Sequence, residues 1–227
     1  MLKICKYFII SFLIFFFSHI NVFSQNKKEN LPKIKWWNGI MLNFDVVSPI
    51  QSSLSSSQNF SAVGNVQINL KDIFLPVYEI GIDGINKTSS QEIYYKANGI
   101  YQRAGIDFNL LRQKKEAEPN NNKLLGGIRV GWSNFKYDVT NITITNDYWG
   151  GESTLNYERQ SALKVWYEIV FGIQVEVFKN VYLGWNIRSK NLFKQNTSTE
   201  VSPWYIPGFG KNNTSNVGFN YTVGYHF

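Results

Sequence analysis

The chain has 227 residues, 44% of them hydrophobic and 16% aromatic, with 23 Lys and Arg against 16 Asp and Glu and a formal charge of +7. That length suits one domain, and the scattered basic excess lacks the basic run with interleaved stacking aromatics that marks a nucleic-acid footprint. One cysteine, Cys5, and two histidines leave no material for a disulfide framework or a zinc knuckle.

Residues 1–24 open with Lys3 and Lys6, run through an apolar stretch from Phe8 to Phe17, and reach the small residue Ser24. This is the layout of a secretory signal peptide cleaved after Ser24, with Val22 and Ser24 as the small residues read by the peptidase. A retained membrane helix needs about 20 uninterrupted apolar residues, and His19 and Asn21 intrude before that. Cleavage would remove Cys5 and leave a chain without thiols, and no lipobox suggests a lipid anchor. Residues 25–38, with Lys27, Lys28, Lys33 and Lys35, are expected to form a solvated periplasmic arm, and residues 39–227 a barrel.

From there the sequence alternates. Strands are predicted near 39–47, 60–71, 75–85, 99–111, 124–137, 161–177, 181–192 and 217–227. In the sixth, Leu163, Val165, Tyr167, Ile169, Phe171, Ile173 and Val175 share one face while Lys164, Trp166, Glu168 and Glu176 share the other. The tight turn "FKN" joins it to the seventh as an antiparallel hairpin. Transmembrane β-strands need about 9–11 residues, whereas soluble strands usually have about 5–6, so these lengths favour a bilayer. Links at 48–59, 86–98, 138–160 and 193–216 are expected to be long outer loops. Those near 72–74, 115–122 and 178–180 are expected to be shorter periplasmic turns, the asymmetry of outer-membrane barrels. The fold class predicted is therefore all-β, an eight-stranded antiparallel up-and-down transmembrane barrel with long outer loops and short periplasmic turns.

Charge assigns the faces. Asp45, Glu79, Asp83, Asp107, Glu168 and Glu176 share the polar face with Arg103, Arg129, Lys164, Arg188 and Lys190, a near balance that an enclosed lumen demands because an unpaired buried charge is costly. The opposite face carries almost no charge, with Gln102 its main polar intruder, as lipid contact requires. Trp36, Trp37, Trp132, Tyr182, Tyr225 and Phe227 near strand ends are expected to form interfacial girdles. An eight-stranded barrel is just wide enough to be filled by its own side chains, so no open channel is expected.

Little catalytic chemistry is legible. After processing the one histidine is His226, with no Ser and carboxylate constellation placed beside it, and G-x-S-x-G and H-E-x-x-H are absent. Glu168 and Asp107 offer a formal paired-carboxylate reading, against which lumen charges are more simply paired with each other. The expectation is no enzyme, no cofactor and no metal. Glycines in "LGGIRVG" follow period two and read as strand glycines relieving lumen crowding. In the outer loops, "NDYWGGES" and "SPWYIPGFG" offer Tyr148, Trp149, Trp204 and Tyr205 as a candidate contact patch for a partner or glycan, or else as a plug over the barrel mouth.

The closing "GFNYTVGYHF" resembles the C-terminal targeting signal of bacterial outer-membrane proteins, which implies recognition of Phe219, Tyr221, Val223, Tyr225 and Phe227 by the barrel-insertion machinery. "AGIDFNLL", "LGGIRVGWSNFKYD", "WYEIVFGIQVEVFKNVYLGWNIRSK" and "YIPGFG" are similar to segments of a Bacteroidota family of small outer-membrane proteins, domain of unknown function 6048, over nearly all of the mature chain. That resemblance implies an exported, membrane-inserted barrel and carries over no catalytic residues. The function expected is a filled barrel in the outer membrane of a Gram-negative bacterium, a structural or accessory component of that membrane or of a larger assembly. Outer-membrane lipid, the insertion machinery and an outer-membrane complex are its expected partners, without nucleic acid. A narrow pore or transporter is the alternative, and a lipid-modifying enzyme a further one.

Overall fold

The computed structural model describes residues 36–46, 59–111, 121–145, 152–193 and 201–227, with 49 and 150. The expected signal peptide and residues 25–35 of the arm lie outside the described residues. Eight strands close into a barrel: β1 (Trp37–Asp45), β2 (Phe60–Leu70), β3 (Phe74–Thr88), β4 (Tyr94–Asn109), β5 (Lys123–Thr145), β6 (Glu152–Phe178), β7 (Val181–Leu192) and β10 (Ser215–His226). A two-stranded ribbon, β8 (Tyr205–Ile206) and β9 (Gly210–Lys211), lies between β7 and β10 in the chain. Every neighbouring pair is antiparallel, and β1 pairs with β10 from Met41↔His226 to Asp45↔Thr222, which closes the ring. No sheet edge remains in the stretch where all eight strands are paired, so its backbone donors and acceptors satisfy one another.

Turns and strand ends differ from the expectation in a systematic way. At the lower end, tight turns at 71–73 and 179–180 join β2 to β3 and β6 to β7. At the upper end, 86–98 and 138–160 are mostly strand: β3 and β4 run on until only 89–93 separates them, and β5 and β6 reach 23 and 27 residues. The β5–β6 extension is bent by register shifts between Tyr137 and Ile142. Here Asn141 and Arg159 take left-handed backbone angles, and the Arg159 N–H donates to Asp138 Oδ1 at 2.7 Å. The first strand begins at Trp37, two residues before the predicted start.

Outward positions in the lower barrel are apolar on every strand, among them Phe44, Val66, Ile80, Ile100, Ile128, Leu163, Ile169, Phe171, Trp185 and Phe219, all exposed. Gln102 is among them, and it accepts a hydrogen bond from the Tyr78 hydroxyl at 2.6 Å, so its amide oxygen is satisfied on that face. Trp36, Trp37, Tyr225 and Phe227 are exposed near the lower rim, but Tyr182 is buried inside, edge-on to His226, because it shares the inward parity of Gly184 and Arg188.

In the upper part the polarity inverts. Tyr95, Ala97, Tyr101, Phe135, Tyr137, Val139, Ala162 and Trp166 point inward and join Ile206 and Phe209 in one apolar core. Lys96, Asn98, Asn134 and Lys136 stand outside and are exposed. This upper part follows the polarity of a protein in water: apolar within, polar without.

Candidate functional site

The site is the lumen, and it is built in three layers. At the middle, Glu79 on β3 faces Arg103 on β4, its direct cross-strand partner, and Glu168 on β6 faces Arg129 on β5 in the same way. Side chains two residues apart on a strand share a face, so Glu79, Arg103, Asp107, Arg129, Glu168 and Arg188 all project inward. Glu79 is the hub. Its carboxylate binds Arg103 at 2.9 Å, Arg188 at 2.7 Å, and also Arg129. Arg103 Nε reaches Glu168 at 2.8 Å, Arg129 reaches Asp107 at 2.8 Å, and Arg188 approaches Glu168 at 3.4 Å. Three carboxylates and three guanidiniums thus form a neutral cluster, and all six side chains are at most 5% exposed. An isolated charge at this depth would cost on the order of several kcal/mol, which closed pairing offsets. Small residues make room for it: a Cβ on Gly127 would stand 2.0 Å from Asp107 Oδ1, and one on Gly131 2.4 Å from the Trp166 ring.

Above it sits the aromatic core, capped by residues 201–214. Trp166 joins the layers, its indole N–H donating to Glu168 at 2.7 Å while its ring meets Phe209 at 5.7 Å. The cap enters the barrel at Pro207–Phe209. Gly208 has φ +78, a backbone that side chains disfavour, and a Cβ there would stand 2.4 Å from the Tyr101 ring, so glycine is required twice over. Its N–H donates to Asp83 at 2.9 Å, and its carbonyl accepts from Arg103 at 2.7 Å and from Lys190 at 2.8 Å. The Tyr205 hydroxyl also donates to Asp83, at 2.7 Å. Burial pushes that hydroxyl well above its usual range and keeps it a donor.

Of the eleven residues predicted for the lumen network, six form the cluster, while Asp83 and Lys190 instead bind the cap. Asp45 accepts from the Asn220 amide and Lys164 is buried in the upper part. Glu176 sits at the lower rim with Asn121 and the Asn180 N–H, at 2.9 Å from the latter. Glu168 and Asp107, the formal acid pair, are each engaged by arginine. Below the cluster, the space beside Gln67, Asp107, Arg129 and Gln174 amounts to about 20 Å³, enough for a water molecule.

The predicted contact patch divides. Tyr148 and Trp149 lie outside the described residues, Tyr205 turns inward to Asp83, and Trp204 alone presents an exposed ring, 41% accessible. Its other face stacks on Tyr95 at 5.2 Å and 15°. The cap and Tyr95 escape a sequence reading based on period two, although the Pro-Gly pair in "YIPGFG" does mark its turn.

No curated protein matches the chain. Among solved structures, that of Neisserial surface protein A (NspA) is similar at 17% identity and a TM-score of 0.44, covering 85% of this chain and 100% of that one. The model of the family described as "Domain of unknown function (DUF6048)" matches residues 4–227, and the chain belongs to that family.

Proposed function

We propose that the protein is an outer-membrane barrel with a sealed lumen, a structural or accessory component of that membrane or of an assembly within it. The observation that carries this reading is the continuous belt of exposed apolar side chains around all eight barrel strands, wrapped about a neutral charged interior. Water would penalise such a belt, since soluble monomers rarely expose apolar patches beyond a few hundred Å². From Leu163 to Val175 the belt runs about 40 Å along β6 at ~3.3 Å per residue; a strand tilt of about 40° shortens this to roughly 30 Å, the depth of bilayer hydrocarbon. The exposed row Phe219, Tyr221, Val223 and Tyr225 on β10, with Phe227 just past its end, supports recognition by the insertion machinery, and residues 1–24 support export.

Filling by aromatic core, ion cluster and cap favours a closed barrel over a pore, and arginine engagement of the lumen carboxylates disfavours acid–base catalysis. The test is extraction and conductance. Purified protein should require detergent and leave a planar bilayer silent. Solubility as a monomer in plain buffer would overturn the membrane reading, and discrete conductance steps would overturn the sealed lumen. Co-purification in mild detergent then decides between a lone barrel and an accessory subunit.

A further inference from the structure

Beside the cap lies a cleft of about 880 Å³, between the upper β3–β4 hairpin and residues 201–213. The lumen network does not use it. Its volume lies within the range of about 300–1,000 Å³ typical of small-molecule sites. We infer that this cleft is a binding site for an anionic saccharide, with Trp204 as its stacking platform and Lys87 and Lys211 as its charge-reading groups.

Three features point to that chemistry. The first is a rigid, half-covered aromatic plane. Trp204 is 41% exposed on one side and stacked on Tyr95 on the other. Tyr95 is itself fixed, donating its hydroxyl to the Tyr205 carbonyl at 3.0 Å and accepting from the Tyr205 N–H at 3.2 Å. The Trp204 carbonyl accepts from the Asn212 N–H at 2.9 Å, and the Asn212 amide donates to Pro203 at 2.8 Å, so the segment carrying the indole is held at both ends. A flat indole presented without conformational cost suits the C–H face of a pyranose ring.

The second feature is the charge of the walls. Lys87 and Lys211 line the cleft, both exposed, and among the described residues no acidic one does. Neither lysine forms an ion pair among the described residues. The ion pairs among the described residues are all made by the lumen arginines Arg103, Arg129 and Arg188, so two lysines on one wall without a neighbouring acid offer a place for an anion brought from outside. The third is the set of short hydroxyl and amide side chains on the same walls, Thr88, Ser89, Ser90 and Asn213. They supply donors and acceptors that sugar hydroxyls can satisfy, where a purely apolar ligand would leave them unpaired. An apolar platform with convergent polar groups is the usual build of a specific small-molecule site.

The site's place outside the cell rests on the membrane reading above; the binding chemistry does not. Trigalacturonate titrated into detergent-purified protein, followed by calorimetry and tryptophan fluorescence, tests it. The fully methyl-esterified trimer serves as the uncharged twin. The acid should bind and quench indole emission, with the ester weaker by about tenfold. Trp204→Ala should weaken both by about tenfold or more, as loss of an anchoring aromatic does, while Trp204→Phe retains most of the binding. Lys87→Gln with Lys211→Gln should erase the preference for acid over ester. These lysines are exposed, so the double variant decides even where Trp204→Ala does not fold.

Absence of binding by the unmodified protein up to about 10 mM, equal binding of acid and ester, or unchanged binding by Trp204→Ala each overturns the site. Competition by lipopolysaccharide micelles distinguishes a membrane-borne saccharide from a free one, and either result upholds it. Failure in this titration with bilayer behaviour intact removes the cleft alone; water solubility with binding intact removes the membrane alone.

Discussion

Below Ser133 the β5 strand turns Gly127, Arg129 and Gly131 inward and Ile128, Val130 and Trp132 outward; above it Phe135, Tyr137 and Val139 face inward and Asn134, Lys136 and Asp138 outward. The backbone and the parity of its side chains are unchanged through this point, so what inverts is residue polarity, as the proposed membrane setting would require. Lipid outside forces apolar groups out and polar ones in, while water outside restores the usual order. β4 makes the same exchange between Ile100 and Asn98 outside and between Arg103 and Ala97 inside. The upper part is thus a small β-structure with its own apolar core and a polar outside, built on the extended strands of the barrel.

The two interiors should fail differently. Glu79→Gln keeps the side-chain volume but removes the hub charge from three guanidiniums, and breaking one buried pair already costs about 3–5 kcal/mol. We expect the largest loss here, read as collapse of heat-modifiable gel mobility and of the urea midpoint in detergent; an unchanged midpoint would mean the cluster contributes little. Phe209→Ala removes a 1%-exposed ring from the upper core, at a cost of about 3 kcal/mol, the low end for aromatic truncation because the cap can relax. Its signature is faster proteolysis within residues 201–214 while the barrel keeps its folded mobility. Simultaneous loss of both would show that cap and barrel unfold as one unit.

This division explains how far sequence reading reaches. Period two across Leu163–Val175, and equally across Phe219–Phe227, is a one-dimensional property, and it locates eight strands, their faces and the inward charges directly. Near Ser133 the apolar residues change parity, and beyond 137 the sequence turns rich in Asn, Thr and Gly, so β5 is predicted to end at 137 and 138–160 is mistaken for a loop. The same inversion places Tyr95 and Tyr137 outside any predicted strand or at its last residue, although both lie in the upper core. Pairing within the lumen is also invisible to spacing: that Glu79 takes three arginines while Asp83 and Lys190 take the cap depends on which strands meet and how deep each residue sits. The cap itself arrives from residues distant in sequence, Tyr205 reaching Asp83 across 122 positions.

Placing one charge on the outer face at two heights locates the boundary. Ile128→Arg sits in the apolar belt and should destabilise the barrel by about 2–4 kcal/mol, as for arginine facing lipid near the midplane. Asn134→Arg, on the same face of the same strand three outward positions higher and opposite Leu163 at the top of the belt, should cost no more than about 1 kcal/mol, as for arginine near the membrane interface. Urea titration of both in the same lipid measures the difference. Equal costs would remove the solvent change between 128 and 134.

The smallest effect concerns the polar intruder on the lipid-facing belt. Tyr78 and Gln102 stand two residues out of register on adjacent strands, close enough for the hydroxyl to donate to the amide at 2.6 Å. Tyr78→Phe leaves the ring and its packing in place and strips the Gln102 amide oxygen of this donor. In lipid no water replaces it, and hydrogen bonds between membrane side chains are worth about 0.6–1.7 kcal/mol, so a loss near 1 kcal/mol is expected. Adding Gln102→Leu should recover that loss or exceed it, because the orphaned amide is then gone. In a watery setting Tyr78→Phe would be nearly silent and the leucine would gain nothing, so the sign of the second step, measured by urea unfolding, reports which solvent the belt meets.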